Sequence, residues 1–179
     1  MRRTILSATL FAALLAAPVS AALAPGAKAP DFTTRGAIAG KVFQVHLAEQ
    51  LKKGPVVLYF FPAAFTPGCS AEAKAFAERI GDFKKAGATV IGMSADTVED
   101  LQRFSSAECA GKFAVASAGP AVIAGYDVAM GRERNGHPIT NRVSYVIARD
   151  GRVTSVHSDI QPTEHVAMTL AEVQKLPRG

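Results

Sequence analysis

Cysteine is scarce in this chain of 179 residues, and the two present, Cys69 and Cys109, bound any thiol chemistry tightly. No Cys-x-x-Cys pair exists, because position 72 is Glu72. A thioredoxin-fold disulfide reductase needs that second thiol three residues away to release a mixed disulfide. The four histidines, His46, His137, His157 and His165, show no metal-ligand spacing among themselves or with the cysteines. No histidine signature flanks Cys69, which argues against a cysteine–histidine hydrolase. No cluster of lysine and arginine appears, and a net charge of +5 is too small to argue for nucleic acid. The Gly125–Gly136 stretch lacks a phosphate-loop pattern and reads as an ordinary loop. Internal repeats and low-complexity tracts are also absent.

Long apolar runs are missing as well. The longest, Ile5 to Ala17, falls short of the roughly 20 residues a membrane span needs. Preceded by Arg2 and Arg3 and followed by Pro18-Val19-Ser20-Ala21, it reads as a secretory leader cleaved after Ala21. An uncleaved N-terminal anchor is the alternative. Cleavage leaves residues 22–179 as one domain, exported and periplasmic, in a compartment where a disulfide can persist.

Within that domain, Pro25 to Pro30 reads as extended chain, because residues before proline avoid the helical region. Val42 to Val45 suggests a short strand and Leu47 to Leu51 a brief helix. Val56 to Phe61 is six β-favouring residues without alternation, the mark of a strand buried on both faces. From Pro67 to Lys85, Ala73, Phe76, Ile80 and Phe83 recur at helical steps. Thr89 to Met93 predicts a second buried strand, Thr97 to about Ala110 a second helix, and Phe113 to Ser117 a third strand. Val122 to Tyr126 suggests a helical turn. Arg142 to Ile147 and Arg152 to His157 flank Asp150-Gly151, a hairpin signal. Pro162 to Leu176 closes the chain as a helix. The order predicts an α/β fold, thioredoxin-like in outline, with a mixed central sheet and helices on both faces.

Cys69 lies where the first buried strand turns into a helix. Thr66 suits the N-cap and Pro67 the first helical position, so the sulfur falls in the first turn near unpaired N–H groups. A free thiol of pKa about 8.5 is only a few per cent thiolate at neutral pH. Making it mostly thiolate takes about 3 kcal/mol, and a helix N-terminus supplies about 0.3–2 kcal/mol. A second cation is required.

Pro62-x-x-x-Thr66-x-x-Cys69 resembles the peroxiredoxin active-site motif, and Thr66-Pro67-Gly68-Cys69-Ser70-x-Glu72 its bacterioferritin-comigratory, PrxQ-like branch. Gly26-x-x-Ala29-Pro30-Asp31-Phe32 is similar to the family's opening segment. Asn141 to Ile147 is similar to the late strand that carries its arginine. The resemblance implies a thiol peroxidase for hydrogen peroxide and organic hydroperoxides, with no metal, haem or flavin. It implies Cys69 as peroxidatic cysteine, Thr66 as hydrogen-bond partner of peroxide and thiolate, and Pro62 as a shield from solvent. Arg142 becomes the missing cation, and Glu72 either orients an arginine or is an exposed helix charge. Many members place a resolving cysteine five residues after the first, where this chain has Lys74. Cys109 is then a resolving cysteine reached by local unwinding, a buried bystander in a one-cysteine enzyme, or half of a permanent staple. The implied partners are peroxide and a thioredoxin-like or small-thiol reductant, with neither nucleic acid nor membrane. An exported thioredoxin-fold oxidoreductase or a disulfide-stapled binding module remain the other readings.

Overall fold

The computed structural model describes residues 22–134 and 136–177; the leader read over residues 1–21 lies outside them. Nine strands and five helices follow in order: β1 (Thr33–Ile38), β2 (Lys41–His46), α1 (Leu47–Leu51), β3 (Val56–Phe60), α2 (Pro67–Lys85), β4 (Thr89–Ser94), α3 (Val98–Ala107), β5 (Ala114–Ser117), α4 (Pro120–Gly125), β6 (Ala129–Arg134), β7 (His137–Thr140), β8 (Val143–Ile147), β9 (Val153–Ser158) and α5 (His165–Val173). Seven strands form one mixed sheet in the order β2-β1-β5-β4-β3-β8-β9. β3, β4 and β5 run parallel, and β8 and β9 add antiparallel on one side.

β3 explains why its sequence has no alternation. Val57 and Tyr59 enter the core shared with α2, α3 and α5, while Val56, Leu58 and Phe60 enter the core beneath α1 and α4. A central strand covered on both faces wants apolar side chains at every position. The expected mixed sheet with helices on both faces is therefore the architecture found.

α2 starts at Pro67, buries Ala73, Phe76, Ala77, Ile80 and Phe83, and carries Lys84 and Lys85 in its last turn, where cations suit the dipole. Gly87 leaves it at φ +79°, a conformation that favours glycine. α3 ends at Ala107, earlier than its sequence pattern suggests. Ala110 and Gly111 turn left-handed in succession, at φ +49° and +66°, and break the helix there. α5 is likewise shorter than the span from Pro162 to Leu176.

Two features depart from the sequence reading. β1 has no sequence precedent, because Thr33-Thr34-Arg35-Gly36 lacks an apolar pattern; it forms by pairing with β2 and β5. Gly36 permits the close approach to β5, since a Cβ there would lie 2.7 Å from the Val115 carbonyl oxygen. The supposed loop from Gly125 to Gly136 contains the end of α4 and all of β6, which forms a two-stranded ribbon with β7. That ribbon places its tip beside the turn that precedes α2, where Arg134 Nη1 reaches the Ala64 carbonyl at 3.5 Å.

Tyr59 is held in the core by stacking on Phe76 at 4.4 Å. A Cβ at Gly92, on the neighbouring strand, would stand 2.7 Å from its ring. Gly92→Ala is expected to lower the unfolding free energy by about 1–3 kcal/mol through overpacking, read as a shift in the denaturant midpoint. An unchanged midpoint would show that the Tyr59 ring yields.

Candidate functional site

The register of β3 against β8 builds the site. Phe60 pairs with Val143 in an antiparallel ladder, so the chain leaving β3 and the chain entering β8 meet at one end of the sheet. The first leads within a few residues to α2 and Cys69; the second brings Arg142. Cys69, third residue of α2, is buried at 1% exposure. Arg142 Nη2 stands 3.5 Å from its sulfur.

Arg142 is held from two other directions. Its Nε donates to the Ile160 carbonyl at 2.8 Å, and its Nη1 pairs with Glu72 Oε2. Gly68 leaves the guanidinium its place, since a Cβ there would come within 3.3 Å of Nη2. Glu72 sits one turn beyond Cys69 on the buried side of α2. The exposed-charge alternative for it is thereby overturned. Burial pushes its carboxyl up to about 7, against the pull of Arg142. Burial also works against the Arg142 charge, but Glu72 and Cys69 outweigh it and raise the guanidinium above its ordinary value.

Thr66 occupies the N-cap position in extended conformation, and its carbonyl accepts from Ser70 N. Its side chain does not cap the helix as the sequence suggests. The hydroxyl instead donates to the Ala63 carbonyl at 3.1 Å, closing the turn that starts at Pro62. Pro62 is half-buried and lines a cavity of about 300 Å³ with Phe65, Asp96, Arg134 and His137 among others. Phe65 stands at φ +60°, a strained position for a bulky side chain, and rests edge-on against Phe104 at 5.3 Å.

Several supporting residues escape the sequence reading. Asp96 Oδ2 accepts from Ala64 N at 2.7 Å and from Ser94 Oγ at 2.7 Å, so it anchors the turn before α2. Thr140 Oγ1 donates to the Phe61 carbonyl at 2.8 Å. His165 and Ser144 lie buried behind Glu72. None stands in a local motif; only the fold brings them to the site.

Cys109 follows the C-cap of α3, is fully buried, and shares one apolar cluster with Cys69, Phe61, Phe76 and Phe104. Burial, with a smaller push from Glu108, drives its thiol well above the ordinary value. Both cysteines are free, so the permanent staple is not formed. Lys74, the residue in place of the neighbouring resolver, reaches Glu108 Oε2 at 3.2 Å, beside Cys109.

Comparison with known proteins bears on this arrangement. The AhpC/TSA family pattern matches residues 25–156. Peroxiredoxin Q, chloroplastic, from Oryza sativa subsp. japonica is 32% identical over 158 residues, covering 84% of this chain and 67% of the rice protein. Peroxiredoxin Bcp from Escherichia coli K12 is 31% identical over 115 residues, covering 62% of this chain and 72% of its own. The crystal structure of peroxidoxin BcpB from Mycobacterium tuberculosis superposes with a TM-score of 0.76 at 28% identity, covering 86% of this chain and 98% of that one. Matched in pattern over most of its length and in fold to solved relatives, the chain belongs to the AhpC/TSA family as a PrxQ/BCP-like peroxiredoxin, a thiol-dependent peroxidase.

Proposed function

We propose that Cys69 is the peroxidatic nucleophile and that it reduces hydrogen peroxide and organic hydroperoxides. The observation that carries this reading is the 3.5 Å contact of Arg142 Nη2 with the Cys69 sulfur at the start of α2. The thiolate attacks the terminal peroxide oxygen; the S–O bond forms, the O–O bond breaks, and the departing oxygen takes a proton to leave as water or alcohol. Arg142 meets the negative charge first on sulfur and then on the leaving oxygen, a role for a pre-placed cation in a water-poor site. Thr66, whose hydrogen is spent on Ala63, has lone pairs free to accept from the peroxide hydroxyl. Pro62 limits water at the entrance, and Glu72 orients Arg142.

Cys69→Ser is expected to abolish turnover with a chemical dithiol as reductant. Arg142→Ala should lower kcat/KM for peroxide by about 10²–10³, the usual cost of one lost transition-state donor. A fall of less than about threefold would remove Arg142 from catalysis and leave the helix terminus as the main activator.

Cys109 is the proposed resolving cysteine. Its thiol attacks the Cys69 sulfenic acid; the S–S bond forms, the S–O bond breaks and water leaves. While buried, Cys109 is held as the inert thiol, so resolution requires the segment after α3 to open. The left-handed pair Ala110-Gly111 marks where the chain departs from helix, and gives that opening a hinge. A thioredoxin-like dithiol or a small thiol then reduces the disulfide. The leader over residues 1–21 supports export to the periplasm, where N-terminal sequencing of the purified protein should begin at Ala22.

Intact mass after one equivalent of peroxide tests the resolver. Wild type is expected to lose the mass of two hydrogens, and Cys109→Ser to gain one oxygen as a persistent sulfenic acid. Equal products and equal turnover in both would make this a one-cysteine enzyme resolved by an external thiol.

A further inference from the structure

Behind Arg142 lies a second buried polar layer that attack on peroxide does not itself use. Glu72 gives Oε2 to Arg142, while its Oε1 is buried without a hydrogen-bond partner. The group facing that oxygen is His165 Nδ1, 3.8 Å away. His165, the first residue of α5, is itself fully buried. Its Nε2 lies 2.9 Å from the Asp159 carbonyl oxygen. A carbonyl only accepts, so Nε2 carries the hydrogen. Nδ1 of the neutral ring is then an acceptor, and Ser144 Oγ donates to it at 2.8 Å. With its one lone pair given to Ser144, Nδ1 has no hydrogen to offer Glu72 Oε1. An oxygen and a nitrogen that face each other in a dry core with no hydrogen between them leave Oε1 unsatisfied. One proton on either group, with the Ser144 hydroxyl free to turn, supplies the missing hydrogen. A proton on both would bury a second cation beside Arg142.

We propose that His165 is a positioning residue of the peroxidatic centre, forming with Glu72 a one-proton site that sets how firmly Glu72 holds Arg142. The proposal rests on the roles given above to Cys69 and Arg142. The groups facing the pair are Cys69 from α2, Tyr59 from β3, Arg142 and Ser144 at β8, His157 from β9, and Asp159 from the connection to α5. The His157 ring meets that of His165 edge to face at 4.5 Å.

Burial disfavours charge on both members, but with opposite consequences. It pushes the Glu72 carboxyl up to about 7 and the His165 imidazole down to about 4. Below about pH 7 the proton of the pair therefore belongs to Glu72. A neutral Glu72 leaves the guanidinium charge to the Cys69 thiolate; an ionised one competes for it. Folding in turn relocates a proton. Between the ordinary values of 4.5 and 6.5 the unfolded chain carries it on His165, and the folded chain carries it on Glu72. Both states bind the same number, so this pair adds no slope of stability against pH there.

Removing one partner exposes the other. With Glu72 alone, its raised value means that stability rises as pH falls from about 7 toward 4.5. With His165 alone, its depressed value means that stability falls as pH drops from 6.5 toward 4. The test is denaturant unfolding of wild type, His165→Asn and Glu72→Gln between pH 4.5 and 6.5, alongside peroxide kcat/KM over the same range and up to pH 9. The expected result is opposite slopes in the two variants relative to wild type. In His165→Asn the inflection of kcat/KM assigned to Glu72 should also move to lower pH, because an amide N–H offers Oε1 the hydrogen bond that Nδ1, without a hydrogen, does not. Variant slopes equal to that of wild type would overturn the proposal. Should either variant not fold, NMR of the wild-type chain decides it. Support is an Nε2-protonated His165 that stays neutral at pH 5 with a Glu72 carboxyl titrating near 7. An imidazole protonating at its ordinary value, or a carboxyl titrating in the ordinary range, overturns it. Unfolding and NMR report on the proton site and turnover of Cys69→Ser and Arg142→Ala on the peroxidase assignment, so the two fail separately.

Discussion

Arg142 is a buried cation shared between two groups, the Glu72 carboxyl and the Cys69 sulfur, and this end of the sheet is organised around keeping it there. A guanidinium taken out of water costs several kcal/mol unless its donors are matched. Here Nε is spent on the Ile160 carbonyl, Nη1 on Glu72, and Nη2 on Cys69. Cys69 and Glu72 come from neighbouring turns of α2 and Ile160 from the segment before α5, so the fold and not one local segment assembles the three contacts. The β3–β8 ladder supplies the meeting point, the first two turns of α2 present Cys69 and Glu72, and Gly68 leaves the room. A guanidinium held at all three nitrogens is fixed in place before any charge develops beside it.

How much of this was legible in the sequence follows from how local each cause is. β3, β4 and α2 could be read because their signals lie within one window: an apolar run, or apolar side chains at helical spacing. The Thr66-to-Cys69 turn could be read for the same reason, and the energy gap it left pointed to a distant cation. Resemblance, not spacing, singled out Arg142. β1 and the β6–β7 ribbon could not be read, since their pairing partners rather than their own residues make them strands. Asp96 was invisible because its task is to accept from Ala64 N, thirty-two residues back. The Thr66 side chain was misread for a subtler reason. A hydroxyl at an N-cap has two backbone uses within reach, and here the turn takes it instead of the helix.

Cys109 shows the opposing demands on such a site. Its burial beside Phe104 and Phe113 contributes to the core that supports α2, and the same burial silences it as a nucleophile. The chain around it is built unlike the rest of the helical layer. α3 ends just before it, two left-handed residues follow, and Lys74 holds the C-cap residue Glu108 from across α2. Lys74, five residues after Cys69, thus carries a contact to the distant cysteine's own segment. An ion pair with one half-exposed partner is a weak tie, worth about 1 kcal/mol or less.

The same logic applies to charge in the centre as a whole. With Cys69 as thiolate and Glu72 ionised, one guanidinium faces two anions in a site that water hardly reaches. With the Glu72 proton in place, one cation faces one anion, and the balance is met without drawing Arg142 away from sulfur. His165 favours that state by offering Oε1 no hydrogen, a tautomer fixed by the Asp159 carbonyl and Ser144 rather than by Glu72 itself. A residue that does not touch the sulfur thereby acts on it through Arg142, the cation that Glu72 and Cys69 share.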